Sequence, residues 1–326
     1  MRIVYFGTPQ FATPTLAALL ASRHAVVAVV TQPDRARGRG QHVTPSPVKA
    51  LAVSRGVPVL QPEQLKVPEF LAALAGFTVD IGVVAAYGKL LPQALLDLPR
   101  RGMVNVHASL LPRWRGAAPI HRAILAGDTV TGVTIMRVVL ALDAGPMLAR
   151  VVVPIDESVR SDTLEIQLAD AGARLLLETL DRLEDGAVQE TPQDETLVTY
   201  AARLDRRDSR IDWTRPARDI HNQIRGLHPW PLASVLWRGK RLILRASTLA
   251  PGTSTLAPGT STLTQGTLTP GTLFDASNGV LAVATGTSPL IITDVQLEGR
   301  RPQSAREFIN GAHPAAGDRF EPVPVS

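Results

Sequence analysis

The chain has 326 residues, 45% of them apolar and 19% charged, which is enough material for two hydrophobic cores and too apolar for wholesale disorder. It contains no cysteine, so a disulfide framework, a thiolate metal site and a cysteine nucleophile are excluded. The net charge of +5 is unevenly placed: the first 202 residues carry 19 basic and 19 acidic side chains, whereas Arg203–Ser326 carry 15 and 10. A basic C-terminal part is either a solubilising surface or a platform for a polyanion.

The N-terminus runs straight into a strand-like stretch, Arg2–Phe6, with no apolar signal region behind a basic cap. With no run of about 18 apolar residues either, a cytoplasmic protein without membrane contact is expected. A helix over Pro14–Ser22 follows, with Thr13 as its predicted N-cap, and then a β-branched strand at Ala25–Thr31. Further strands are read at Ile81–Ala85 and Met103–His107, separated by helical stretches at Val48–Arg55, Glu69–Gly76 and Pro92–Leu98. Strand–helix–strand alternation predicts a parallel sheet covered on both faces, with ligands beyond the C-terminal strand ends at a switch in strand order. A long helix is read over Thr163–Leu183. A polar linker follows, placed at residues 191–210.

Beyond it the pattern changes to short strand-like runs at Ile211–Trp213, Ala233–Trp237, Leu242–Ala246, Val280–Ala284 and Leu290–Val295, with one helix at Ala217–Leu227. This predicts a small antiparallel barrel. The stretch 247–272 reads STLAPGT, STLAPGT, STLTQGT, LTPGT. Its Pro-Gly units disfavour helix and strand, so a loop within the barrel is expected.

Chemistry concentrates in Asn105–Gly116, NVHASLLPRWRG, together with Asp143 in Leu142-Asp143-Ala144-Gly145. Asn105 and His107 are two apart on a predicted strand and therefore face one way. Taken singly, a histidine or asparagine at a strand end is more often structural, and an aspartate before Ala-Gly often starts a turn. Taken together, they resemble the N-x-H-x-S-L-L-P-x-x-R-G segment and downstream aspartate of the folate-dependent formyltransferases. The resemblance implies a Rossmann-like parallel-sheet catalytic domain over 1–190 and an OB-like barrel over 211–326. It also implies 10-formyltetrahydrofolate as formyl donor, no metal, and Asn105, His107 and Asp143 as catalytic residues. The chemistry agrees: an amine attacks the formyl carbon, a fixed side-chain amide steadies the oxyanion, and histidine moves a proton near neutrality. Ser109, Leu110, Leu111 and Pro112 resemble the family's folate-binding loop, although the residues alone read equally well as a packed turn.

Three features resemble the branch of the family that acts on initiator methionyl-tRNA. These are Trp114–Ile120, the loop Thr31–Lys49, and the C-terminal domain with its Asp194–Ala201 and Ile211–Trp213 segments. In the loop, Arg35, Arg37 and Arg39 face a single acid, Asp34, and suit the phosphates and base edges of the tRNA acceptor arm. A monomer binding folate and tRNA is expected. A family member with a small-molecule amine acceptor, or a non-catalytic tRNA-binding relative, are the alternatives. The sequence departs from the family around Asp143, where Val139, Ala141, Ala144 and Pro146 replace polar or glycine positions and predict a stiffer, more apolar loop. Only one glycine stands in Gly7-Thr8-Pro9, which disfavours a dinucleotide site after the first strand.

Overall fold

The computed structural model describes residues 1–37, 42–250, 268–275 and 279–324. They form two compact units, one of residues 1–119, 130–154 and 165–202, the other of residues 120–129, 155–164 and 203 onward.

The first unit contains β1 (Arg2–Gly7), β2 (Ala25–Val30), β3 (Arg35–Arg37), β4 (His42–Thr44), β5 (Val59–Leu60), β6 (Ile81–Ala85), β7 (Met103–His107), β8 (Arg115–Gly116), β9 (Val130–Arg137), β10 (Met147–Pro154) and β11 (Tyr200–Ala201). Seven of these make one sheet in the order β10-β9-β7-β6-β1-β2-β5. The five strands from β7 to β5 are parallel, as the β-branched runs predict. β9 runs antiparallel to β7 and β10 antiparallel to β9, so the sheet is mixed rather than wholly parallel. The chain steps outward from β1 through β2 to β5, then returns to β6 on the other side of β1. Strand order therefore switches between β1 and β6, whose ends meet at Gly7 and Ala85.

Helices α1 (Thr13–Leu20), α2 (Pro47–Ser54), α3 (Pro68–Ala75) and α4 (Gln93–Leu96) link the strands. One local expectation is corrected here. Thr13 is the first residue of α1 rather than its cap, because a 3-10 turn at Gln10–Ala12 feeds the helix and the Thr13 hydroxyl donates back to the Gln10 carbonyl. α5 (Pro119–Leu125) and α6 (Ser161–Glu184) complete the helices before the C-terminal region. α6 covers the sheet closely at Gly172, where a Cβ would stand 3.0 Å from Val106 and 3.3 Å from Val133. Val106 thus faces the helix, and by strand alternation Asn105 and His107 face the opposite side.

The second unit holds α7 (Ala217–Gly226), β12 (Ala233–Trp237), β13 (Lys240–Leu249), β14 (Leu273–Asp275), β15 (Leu281–Val283), β16 (Leu290–Leu297), β17 (Gln303–Ser304), α8 (Ala305–Ala312) and β18 (Glu321–Pro322). The sheet is antiparallel and curled, in the order β14-β15-β16-β13-β12-β18. Its edges are tied by the C-terminal segment: β18 pairs with β12, while the neighbouring Arg319 bridges Thr272 beside β14. Ile211–Trp213 is no strand. Ile211 and Trp213 are buried as core anchors, with Trp213 stacked at 6.0 Å from Phe320. Helix α8 opens with a Ser304/Glu307 capping box and packs Phe308 against Trp237 at 4.9 Å. Burial of one such ring is worth about 1.5–3 kcal/mol. Repeat residues 251–267 lie outside the described residues. Among the described residues, no helix is long and apolar enough to cross a membrane.

Candidate active site

The site is built where β7, the loop after it and the loop after β9 converge. Asn105 pairs through the backbone with Val84 on β6 and Met136 on β9. Its side chain, half-buried, leaves β7 on the face opposite Val106, with its amide bonded to no described residue. His107 lies one pleat further and is only 6% exposed.

The histidine is held by the chain that follows it. Trp114 sits at φ +66, a left-handed conformation that turns its carbonyl onto His107 Nε2 at 2.9 Å. A carbonyl can only accept, so Nε2 carries the proton and Nδ1 is the nitrogen left for exchange. Nδ1 faces Asp143 Oδ2 at 3.6 Å, beyond hydrogen-bond length. The same Oδ2 accepts the Gly116 N–H at 2.9 Å. The Trp114 carbonyl, not the more distant carboxylate, fixes the ring. Asp143 is set to meet a positive charge at Nδ1.

Asp143 itself is at φ +48. Two residues on, Gly145 lies so close to β9 that a Cβ would stand 1.9 Å from the Arg137 carbonyl oxygen. The apolar residues that precede it, Val139, Leu140 and Leu142, are exposed. A cleft of about 260 Å³ opens beside this loop, lined by Leu96, Asp97, Arg101, Met103, Arg137 and Val139 among others. Met103 opens β7, so the cleft lies at the N-terminal end of that strand, away from the end that carries His107.

The loop Ser109–Pro112 is a packed turn. Ser109 and Leu111 are buried. The Ser109 hydroxyl donates to the Arg113 carbonyl at 2.6 Å, and Thr134 Oγ1 both donates to the Ser109 carbonyl and accepts the Leu111 N–H. The Leu110 carbonyl accepts from Arg113 N, and that of Pro112 from Thr199 N. Leu110 rests on Gly132, where a Cβ would come within 2.6 Å of its side chain. The turn shapes the floor of the site, and its bonds hold it rigidly against β9.

In the arginine loop, Arg35 is exposed and pairs through its backbone with Thr44, and Arg37 pairs likewise with His42; Arg39 lies outside the described residues. The base of this hairpin is latched. Lys49 Nζ bonds Asp34 and Gln61, and Gln61 also donates to Asp34 at 2.9 Å. The Lys49 ammonium holds the Asp34 carboxyl below the usual range, so the loop's one acid is already paired. Ser46 caps α2 and bonds Thr31 across the base at 2.9 Å.

The predicted linker is structured. Met147 and Thr191 exchange backbone bonds, β11 pairs in parallel with β8, and Glu195 forks onto the buried Arg115 at 2.7 and 3.2 Å. Among the described residues, His24, Asp181 and Glu184 bring potential metal-ligand atoms within 4.8 Å, but Arg23 already pairs with both carboxylates.

Residues 1–180 match the formyl transferase family, and residues 203–313 match the formyl transferase C-terminal domain. The chain is 46% identical over 321 residues to the methionyl-tRNA formyltransferase of Methylobacillus flagellatus, covering 98% of this chain and 99% of that one. It is 45% identical over 310 residues to the methionyl-tRNA formyltransferase of Stutzerimonas stutzeri, covering 95% and 94%. Among solved structures, it is similar to WlaRD, a sugar 3N-formyl transferase in the presence of dTDP and 5-N-formyl-THF, with a TM-score of 0.65 at 15% identity over 92% of this chain and 99% of that one. HypX from Aquifex aeolicus in complex with tetrahydrofolic acid gives 0.58 at 16% identity, over 95% of this chain and 47% of that one. At those identities the structural likeness is one of fold.

Proposed function

The chain belongs to the formyl transferase family, and from that premise we propose that Asn105, His107 and Asp143 are the residues with which it formylates its acceptor. It moves the formyl group of formyl-tetrahydrofolate to the α-amino group of methionyl initiator tRNA. The 10-formyl form is the donor we assign. The observation that carries the residue assignment is the pairing of Asn105 and His107 on one face of β7, with Asp143 3.6 Å from the free histidine nitrogen.

The acceptor amine attacks as its neutral form, a usable fraction at physiological pH because an α-amino group has a pKa near ~8. A C–N bond forms to the formyl carbon, and the carbonyl electrons move onto oxygen. The Asn105 amide donates to that oxyanion, already fixed by the two strands that flank it. His107 Nδ1 takes the proton shed by the new C–N bond and delivers it to the folate nitrogen as the old C–N bond breaks. Asp143 stabilises the imidazolium that exists between those two events. No step uses a covalent enzyme intermediate or a metal.

For the donor we propose the Ser109–Pro112 turn, which leaves β7 directly after His107 and packs Leu111 with Met136 and Met147. Arg35, Arg37 and Arg39 are assigned to the tRNA acceptor arm, supported by a latched base that leaves no free acid beside them. The basic second unit, residues 203 onward, is assigned to the tRNA backbone. The scheme needs a single chain, and the cytoplasm is where charged tRNA is met. The test is formylation of methionyl-tRNA by Asn105→Ala and His107→Ala. Each loses about 10²- to 10⁴-fold in rate with tRNA binding kept, and near-wild-type turnover in either would sink the assignment.

A further inference from the structure

The reaction loops carry strain that they do not hold by themselves. Asp143 is a non-glycine residue at φ +48. Such a conformation persists only where the surroundings over-determine it. Of the loop's own side chains only the Asp143 carboxylate is tied, to the Gly116 N–H, because Val139, Ala141, Ala144 and Pro146 offer no hydrogen-bonding group. The fixing bonds come from 50 residues further along the chain. Gln193, only 9% exposed, donates from Nε2 to the Asp143 carbonyl at 2.8 Å and to the Gly145 carbonyl at 2.8 Å. Its Oε1 accepts from Arg115 Nε at 3.0 Å, which fixes the amide orientation. Arg115 is itself locked by Glu195, so Gln193 is held from one side and holds on the other. Six residues on, Thr199 Oγ1 accepts the N–H of Trp114 at 2.9 Å, the residue whose carbonyl fixes the tautomer of His107.

We infer that Gln193 is a positioning residue for formyl transfer, holding the Asp143 turn so that its carboxylate stays opposite His107. The inference rests on the reading that Asp143 acts in the reaction. Gln193 touches no reacting atom. Both of its donors go to carbonyls on the C-terminal side of the turn, Asp143's own and that of Gly145, so their loss lets Asp143 relax toward right-handed backbone and swings the carboxylate away from Nδ1. Thr199 works in parallel on the other loop.

The experiment is a double-mutant cycle. Gln193→Glu keeps the size of the side chain and its bond to Arg115 but turns a donor toward two carbonyls into an acceptor. Gln193→Met, apolar and of similar length, is run beside it so that a folding failure in one leaves the other to decide. In the wild-type background either change lowers kcat about tenfold, with the KM for methionyl-tRNA and the KM for the folate donor held within about twofold. In an Asp143→Asn background the same change costs less than about twofold, because the group being positioned is already gone. Equal losses in both backgrounds, a loss confined to KM, or no loss in the folded variants overturns the role of Gln193. Near-wild-type activity of Asp143→Asn alone overturns instead the assignment of Asp143 on which the inference stands.

Discussion

A methyl group added at Gly145 tests the geometry around Asp143 with little change in chemistry. In Gly145→Ala the new Cβ would start 1.9 Å from the Arg137 carbonyl oxygen and 2.8 Å from its carbon. Ordinary carbon contacts begin near ~3.5 Å, so the turn must retreat by roughly 1.5 Å. The obstacle is backbone on both sides, because Arg137 N–H donates to the Pro146 carbonyl at 2.9 Å and its own carbonyl lies in β9. No flexible side chain can swing aside. The retreat carries Asp143 two residues away with it, lengthening a gap to His107 that is already 3.6 Å. Overpacking of this kind costs about 1–3 kcal/mol of stability, and misplacement of a reacting group by about 1 Å costs on the order of 10²-fold in rate. The assay is single-turnover formylation of methionyl-tRNA alongside thermal unfolding of the same preparation. The expected result is a folded protein with a modestly lower Tm and a rate about 100-fold down. A variant within about threefold of wild type would show that the close approach at Gly145 is not what sets Asp143 in place.

Two further outcomes follow from charge and burial. Burial holds the imidazoles of His221 and His228 below the ordinary histidine pKa, so the folded state keeps them neutral while the unfolded chain protonates them near pH ~6.5. Stability is therefore lost as pH falls below about 6.5; denaturant titrations at pH 7.5 and 5.5 should show the drop, and His221→Asn should reduce it, an unchanged pH dependence in that variant counting against the account. Arg35→Ala should weaken methionyl-tRNA binding and lower the salt dependence of log K by about one ion, measured by titration at several salt concentrations; an unaltered slope would remove Arg35 from the phosphate contacts.

Much of this architecture can be read from residue order because burial leaves a plain signature. β6 and β7 match their predicted bounds, IGVVA and MVNVH, since central strands are apolar wherever they are covered, and only Asn105 and His107 on one face of β7 break the run. β9 and β10 escape the same reading. Val130–Arg137 is VTGVTIMR, whose glycine and threonines read as a loop until Thr134 is seen to bond the turn after β7 and Gly132 to admit Leu110. Ile211 and Trp213 mislead in the opposite sense: their apolarity reports burial, which a loop anchored in a core requires as much as a strand does. The trio Asn105, His107 and Asp143 is legible as a motif, but its mechanics are not. That Trp114 rather than Asp143 fixes the imidazole depends on a positive φ, which nothing in the letters of the sequence discloses. The Asp34–Lys49–Gln61 latch is hidden for a related reason, because its partners are far apart in order and ordinary in type.

The bonds made by Gln193, Thr199 and β11 also bear on how the molecule comes into being. During synthesis, Asn105, His107 and Asp143 are already in the growing chain while the stretch that secures their loops is still to be added. A nascent protein that stops near residue 190 would own all three residues proposed to react and lack the fastener. Catalytic competence should then arrive late and abruptly, once Ala201 has left the ribosome, and a minimal active fragment would have to be cut after residue 202 rather than at the end of α6.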